Sequence, residues 1–401
     1  MATLSSVRFS VQEPLLSEDN VNNYCQKTHL EAKMKIIEVE KARVIASNKD
    51  SIHNYFAWPT VARLKDGKIA VVASGFRLSH VCPFGKVTLS ISENNGKTYN
   101  QPCPIIDTPI DDRDGGICAF GTSSVIVTSF GHSADFYRAR YSTENTCLNS
   151  PYKDYVLSYL DTISEDVNER FVGPKYRISH DNGITFGEIK KCPVMSPHGP
   201  TPLPDGGLIW VGTLYDFELS HDQEKAKNMV RSYKLDPKTE EFYEIGRMSF
   251  AEDDIKPCEV HAIALDSNRI IAQIRINGRF CIYQSESSDG GINWSTPHAV
   301  NPDHDGAPPF LLKHSSGALI SLYGHRTEPC GIKVMISLDD GSSWSDGVKI
   351  YETHLRGDNS FDLGYPSAIE LEDGSILTVF YARTDDGSHA EILQCRWRLE
   401  I

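Results

Sequence analysis

No apolar run in the sequence approaches the roughly 20 residues needed to cross a bilayer, and the N-terminus has neither the basic nor the apolar segment of a secretory signal. These two absences argue against a membrane protein and make a cytoplasmic location the expectation. Positive charge is scarce as well: 40 Lys and Arg stand against 54 Asp and Glu, a formal net charge of -14. A general nucleic-acid binder needs a basic footprint that this chain lacks. The ten cysteines contain no CxxC pair and no ligand-like cluster, so they read as free thiols in a reducing compartment. The histidines are scattered without ligand spacing, and neither a metal nor another cofactor is expected.

What is present is a repeated turn. Ser92 to Tyr99, Ser179 to Phe186, Ser287 to Trp294 and Ser337 to Trp344 each place a hydroxyl, an Asp or Asn two positions on, a Gly two further and an aromatic three further still. Short polar side chains bond back to their own backbone, glycine accepts positive φ, and the aromatic plugs the strand that follows. Such a unit staples a hairpin. Repetition on this scale implies an array of small sheets rather than one large sheet.

The remaining chain follows one grammar of short strands separated by Asp-Gly turns, as in Trp58 to Leu64, Lys65-Asp66-Gly67 and Lys68 to Ser74. Six such units can be drawn, and the last lacks an outer strand that Lys35 to Ala46 can supply from the other end. The expected fold is therefore all-β: a six-bladed β-propeller of four-stranded antiparallel blades closed by an N-terminal strand, with seven as the alternative count. Residues 1–33 read as a polar extension and 34–401 as the propeller. An insertion interrupts the second unit at about 133–170, with a brief helix expected from Tyr152 to Ile163. It suits either a solvated excursion or a lid.

In a four-stranded blade the first-to-second and third-to-fourth turns share one face, where the staples lie. The opposite face collects Arg77, His80, Asp112, Asp114, His132, His198, Glu259, Arg275, Asp305, His325, Arg326, Tyr365 and Arg383. Acids, imidazoles and guanidinium groups converging on a narrow channel make a binding or catalytic pocket. Arginine's planar fork suits a carboxylate, at about 1.5 to 3 kcal/mol per charge-assisted contact, so an acidic sugar or other compact anion is the expected ligand. Tyr365 and Glu259 form the expected reactive couple: a phenol is a weak nucleophile until a carboxylate takes its proton, and being neutral it is not repelled by an anionic substrate.

The staples and this residue set resemble the sialidase superfamily, whose propellers carry the same Asp boxes. The resemblance covers roughly Met34 to Ile401 and implies a glutamate–tyrosine pair, an acid/base aspartate and three carboxylate-binding arginines. Pro257-Cys258-Glu259 matches the glutamate, Gly364-Tyr365-Pro366-Ser367 the tyrosine, and Arg275 and Arg326 two of the arginines. The family's Phe-Arg-Ile-Pro motif stands here as Phe56-Ala57-Trp58-Pro59, without its arginine, for which Arg77 is the candidate replacement. Asp114, Asp112 or His80 would supply the acid, while His132, His198, His325, Arg383 and Asp305 would line the substrate. The implied activity is retaining exo-hydrolysis of a terminal acidic sugar. A non-catalytic glycan-binding propeller and a uronic-acid glycoside lyase using His and Tyr are the alternatives.

Overall fold

The computed structural model describes residues 34–215, 229–252, 255–279, 281–300, 306 and 308–401. Their strands form five hydrogen-bonded sheets. Four are separate blades: three of four strands, and one of five in which Val194–Met195 and Thr201–Pro202 both pair with Leu208–Leu214. The fifth has eight strands and closes the ring, joining Tyr55–Arg63 and its hairpin partners to Gly364–Glu370, Ser375–Arg383 and Ala390–Glu400. The expectation of six four-stranded blades is thus corrected to four blades and a closing sheet. A single parallel pairing, Tyr55 with Ala390, makes the junction. Strand grammar is local, and it cannot register this one parallel contact, which merges two expected units into a single sheet.

Lys35–Ala46 lies along the outer side of Ala390–Glu400, running antiparallel from Lys35 opposite Glu400 to Ala46 opposite Ile392. Burial explains the composition of these strands. Tyr55–Arg63 and Ile69–Arg77 are packed on both faces and are buried along almost their whole length, whereas Lys35–Ala46 has a single buried residue and carries three charges in its first six residues. The core consists of layers between neighbouring sheets, as where Val72, Val87 and Leu89 meet Ile117, Val125 and Val127.

The staples work locally and across sheets. In one of them Ser337 Oγ accepts from the Gly341 amide at 2.8 Å and donates to Asp339 at 2.7 Å, while Asp339 accepts from the Ser343 amide at 2.9 Å. Gly341 sits at φ +86°, and a Cβ there would lie 2.6 Å from Ile271 of the preceding blade, so the turn is pressed against its neighbour. The aromatic completes the contact. Trp344 Nε1 donates to Gln284 at 2.9 Å and Trp294 Nε1 to Ser232 at 3.2 Å, each across a blade boundary, and the Tyr99 hydroxyl donates to Gln394 at 2.6 Å within the closing sheet.

The insertion is helical: Ala134–Thr143, Asn145–Leu148, Lys153–Leu160 and Glu165–Phe171. Ser133 caps the first helix through the Phe136 amide at 3.1 Å. Tyr137, Tyr141, Val156 and Leu160 form a small core with Leu78, Val81 and Phe84 of the loop after Ile69–Arg77. That apolar layer fixes the insertion above the site.

Trp344→Ala is expected to cost on the order of 3 kcal/mol, through lost burial and the lost hydrogen bond to Gln284. Ile292→Ala, at an exposed side chain in the equivalent turn of the preceding blade, should change stability by less than about 0.5 kcal/mol. Thermal unfolding midpoints of the two variants check this.

Candidate active site

One backbone irregularity recurs at the start of three inner strands. In Tyr55–Arg63 the register jumps between Ala57 and Thr60, in Arg113–Phe120 between Arg113 and Gly116, and in Gly364–Glu370 between Gly364 and Ser367. In each case two residues face one on the partner strand, and the first of the two has positive φ: Trp58 at 54°, Asp114 at 48° and Tyr365 at 51°. A bulge of this kind re-aims a side chain. Here it brings an indole, a carboxyl and a phenol to one centre.

The Tyr365 hydroxyl donates a short hydrogen bond to Glu259, whose other oxygen accepts from Arg275 at 2.6 Å. Glu259 and Arg275 are direct cross-strand partners, so the sheet register sets this pairing. Burial, and then the Glu259 charge, pushes the Tyr365 phenol well above its ordinary pKa. Arg326 stands 5.8 Å from the centre of the Tyr365 ring and donates to the Leu363 carbonyl at 3.0 and 3.1 Å. The rings of Trp58 and Tyr381 flank Tyr365 at 6.2 and 6.0 Å.

Asp114 is 8% exposed, and its Oδ1 is shielded from solvent without a hydrogen-bond partner. Burial raises its pKa to about 7; Arg113 opposes the shift and the Glu259 charge adds to it. Near neutral pH this carboxyl can therefore hold a proton and give it up.

Several residues expected to touch substrate are committed elsewhere. The Arg77 guanidinium is fully buried, clamped by both oxygens of Asp111 and by the carbonyls of His80 and Cys82, each 3.1 Å away. Tyr137 donates to the same Asp111. Arg77 has no donor to spare for a ligand, which corrects its expected role as a replacement arginine. Asp112 is likewise internal: it pairs with Lys175 at 2.9 Å and accepts from the Thr108 amide at 2.7 Å. His198 packs on His261 and Phe310, 3.0 Å from Thr60 Oγ1, and lines a separate cavity of about 350 Å³ towards the other end of the inner strands. His132 stacks on Phe136 at 3.9 Å beside Tyr215, with its pKa lowered to about 3 by burial. His325 ends the strand Leu319–His325 opposite Gly331. Asp305 lies outside the described residues.

His80 and Arg383 belong to a second cluster. Asp362 accepts from Arg383 Nε at 2.8 Å, from the hydroxyls of Tyr55 and Tyr381 at 2.9 and 3.0 Å, and faces His80 Nδ1 at 3.2 Å. His80, Asp362, Tyr381 and Arg383, with Arg326 and Tyr152, line a cavity of about 510 Å³ under the helical insertion. The His80 side chain is 47% exposed and its ring meets Trp58 edge-on at 5.1 Å. Among the described residues no group of three His, Cys, Asp or Glu is arranged to hold a metal ion.

Two residues of the centre escaped the sequence reading. Trp58 occupies the bulge position that Tyr365 occupies in its own strand, and the parallel between Ala57-Trp58-Pro59-Thr60 and Gly364-Tyr365-Pro366-Ser367 was a visible signal. Arg113 lies over the Trp58 ring at 4.3 Å and near Phe130 at 5.8 Å, and nothing in the acidic run around it announced that.

The sheets and staples are those of a sialidase-like propeller. A protein of unknown function from Dyadobacter fermentans superposes with a TM-score of 0.68 at 19% identity, over 91% of this chain and 99% of that one. The NanB sialidase of Streptococcus pneumoniae gives 0.63 at 13%, over 89% and 70%, and the intramolecular trans-sialidase of Ruminococcus gnavus 0.60 at 12%, over 91% and 98%. At these identities the likeness is one of fold. The family model of the BNR repeat-like domain matches residues 122–378, more than half of the chain, which therefore belongs to that family as a divergent member. No curated protein matches it.

Because the folded pKa of Asp114 is raised to about 7, the stability it supports is fully present below its unfolded value near 4 and is lost as pH rises to about 7. Asp114→Asn should therefore gain on the wild type between pH 5 and pH 8, by on the order of 1 to 3 kcal/mol. Paired unfolding midpoints across that range measure the gain; a constant difference would contradict the shifted carboxyl.

Proposed function

We propose that this protein is a glycoside hydrolase that removes a terminal acidic sugar with retention. The observation that carries the reading is the Tyr365–Glu259–Arg275 relay, with the raised carboxyl of Asp114 aimed into the same centre. A buried phenol is poorly nucleophilic until its proton has somewhere to go, and the Glu259 oxygen already accepts from it. As Tyr365 Oη bonds to the anomeric carbon, its proton passes to Glu259 and the glycosidic C–O bond breaks. Asp114 gives its proton to the departing oxygen. In the second step Asp114 takes a proton from water, the water oxygen bonds to the anomeric carbon, and the sugar–tyrosine bond breaks with return of the proton to Tyr365. Arg275 holds Glu259 in place and tempers its charge. Arg326, beside the Tyr365 ring, stabilises phenolate character in both transition states.

One observation favours a second reading. The His80–Asp362 contact, with two tyrosine hydroxyls on the same carboxylate, faces the cavity beneath the insertion and could remove a proton from a uronic-acid glycoside. The products differ, since elimination leaves an unsaturated sugar that absorbs in the ultraviolet and hydrolysis does not.

Tyr365→Phe should lower turnover of an acidic glycoside by at least about a thousandfold while its dissociation constant stays within about threefold. Single-turnover kinetics and equilibrium binding on the same substrate separate the two effects. Unchanged turnover would remove Tyr365 from the mechanism, and binding with no product under any condition would identify a glycan-binding propeller.

A further inference from the structure

The far ends of the inner strands enclose the separate cavity of about 350 Å³ that His198 lines. Its charge pattern departs from that of the chain. Asp and Glu outnumber Lys and Arg by 54 to 40 overall, yet among the described residues no carboxylate lines this cavity, while Arg63, Lys313 and the imidazoles of His198 and His261 do.

Both imidazoles are neutral, and their protons can be placed. His261 Nδ1 accepts from the Leu311 amide at 2.9 Å, so the ring proton sits on Nε2, and burial, which lowers the pKa to about 3, keeps a second proton away. Burial, with His261 adding to it, likewise holds His198 well below the ordinary histidine range. Thr60 Oγ1 stands 3.0 Å from His198 Nδ1 and 3.4 Å from the Pro197 carbonyl, so the hydroxyl donates to the nearer acceptor and the ring keeps its own proton on Nε2. That Nε2 is shielded from solvent without a partner, and among the described residues His261 bonds only through Nδ1. At the other end of the wall Arg63 Nη2 is also unpartnered, and Nη1 makes only long contacts, 3.4 Å to the Gly67 carbonyl and 3.7 Å to Glu372. Lys313 Nζ donates to the Leu265 carbonyl at 3.2 Å.

The unsatisfied side-chain atoms on this wall are therefore all donors. Buried donors are normally paired, and a wall that presents only donors selects an occupant that presents acceptors. A metal ion does not fit, because with the proton on Nε2 neither ring offers the cavity a lone pair. Thr60, which holds His198, and Arg63 lie three residues apart on one extended strand, about 10 Å. A single compact ion cannot reach both ends. Between them Ile263, Leu312 and Ile369 are apolar and only partly buried.

We propose that this cavity binds a short linear dicarboxylate, one carboxylate accepting from the N–H groups of His198 and His261, the other paired with Arg63 and Lys313, and the methylenes packed on the apolar wall. The site is separate from the Tyr365 centre and does not rest on the function proposed for it.

Isothermal titration calorimetry on the full chain at neutral pH tests this, with glutarate and adipate as probes, pentanoate and inorganic phosphate as partial mimics, and 1,5-pentanediol as the neutral control. At least one dicarboxylate should bind, with pentanoate and phosphate at least about tenfold weaker and the diol silent. Arg63→Met should weaken that dicarboxylate at least about tenfold and, since its contacts within the protein are long, keep the wild-type unfolding midpoint. His261→Phe retains a ring to stack on Phe310, as His261 does at 4.3 Å, and should weaken binding as much. If that variant does not fold, the pentanoate comparison reports on the same end of the cavity. The arginines near Tyr365 also attract anions, so Arg383→Met locates the site: it should leave the dicarboxylate affinity unchanged. Unchanged affinity in Arg63→Met, a loss in Arg383→Met as large as that in Arg63→Met, pentanoate or phosphate binding as tightly as the dicarboxylates, or no heat from either dicarboxylate at millimolar concentration would overturn the proposal.

Discussion

Three non-glycine residues held in the left-handed region fix the geometry of the centre. Each such conformation costs about 1 to 2 kcal/mol, and it persists only where the surrounding sheet over-determines it. Trp58, Asp114 and Tyr365 meet that condition: each is almost fully buried at the first position of a bulge, with regular strand pairing running on from Thr60, Gly116 and Ser367. Without the bulge, simple alternation would send these side chains into the layers between sheets. With it, a phenol, a carboxyl and an indole share one centre with Glu259.

Electrostatics then separates framework from site. Arg77 with Asp111 and Lys175 with Asp112 are buried pairs with further hydrogen bonds, the condition under which charge is tolerated inside a protein. They hold the loop before Arg113–Phe120 and, through Tyr137, attach the helical insertion. Asp114 and Arg113, in the same short segment, lack such bonds. The contrast within residues 111–114 separates side chains that the framework pairs from side chains that it leaves without hydrogen-bond partners.

Much of this was legible in the sequence, and what was hidden had physical reasons. The staples could be read because each is a local hydrogen-bonding unit of eight residues, and the aromatic at its end docks where expected. The number of sheets was misread because the pairing of Tyr55 with Ala390 joins strands from opposite ends of the chain. Tyr365 and Glu259 could be selected because both precede or open an inner strand on one face, and they do touch. That Arg77 is committed inside the framework was beyond sequence. Its partner Asp111 comes from a loop 34 residues further on, and no local pattern announces that pairing.

The central claim is that this convergence makes Tyr365 a nucleophile. The most direct measurement is mass spectrometry of the protein mixed with a fluorinated acidic glycoside carrying a good leaving group, chosen to slow breakdown of a covalent intermediate. The expected result is one sugar adduct on the peptide containing Tyr365, absent from Tyr365→Phe. Release of the leaving group with no adduct, or with an adduct on another residue, would contradict it.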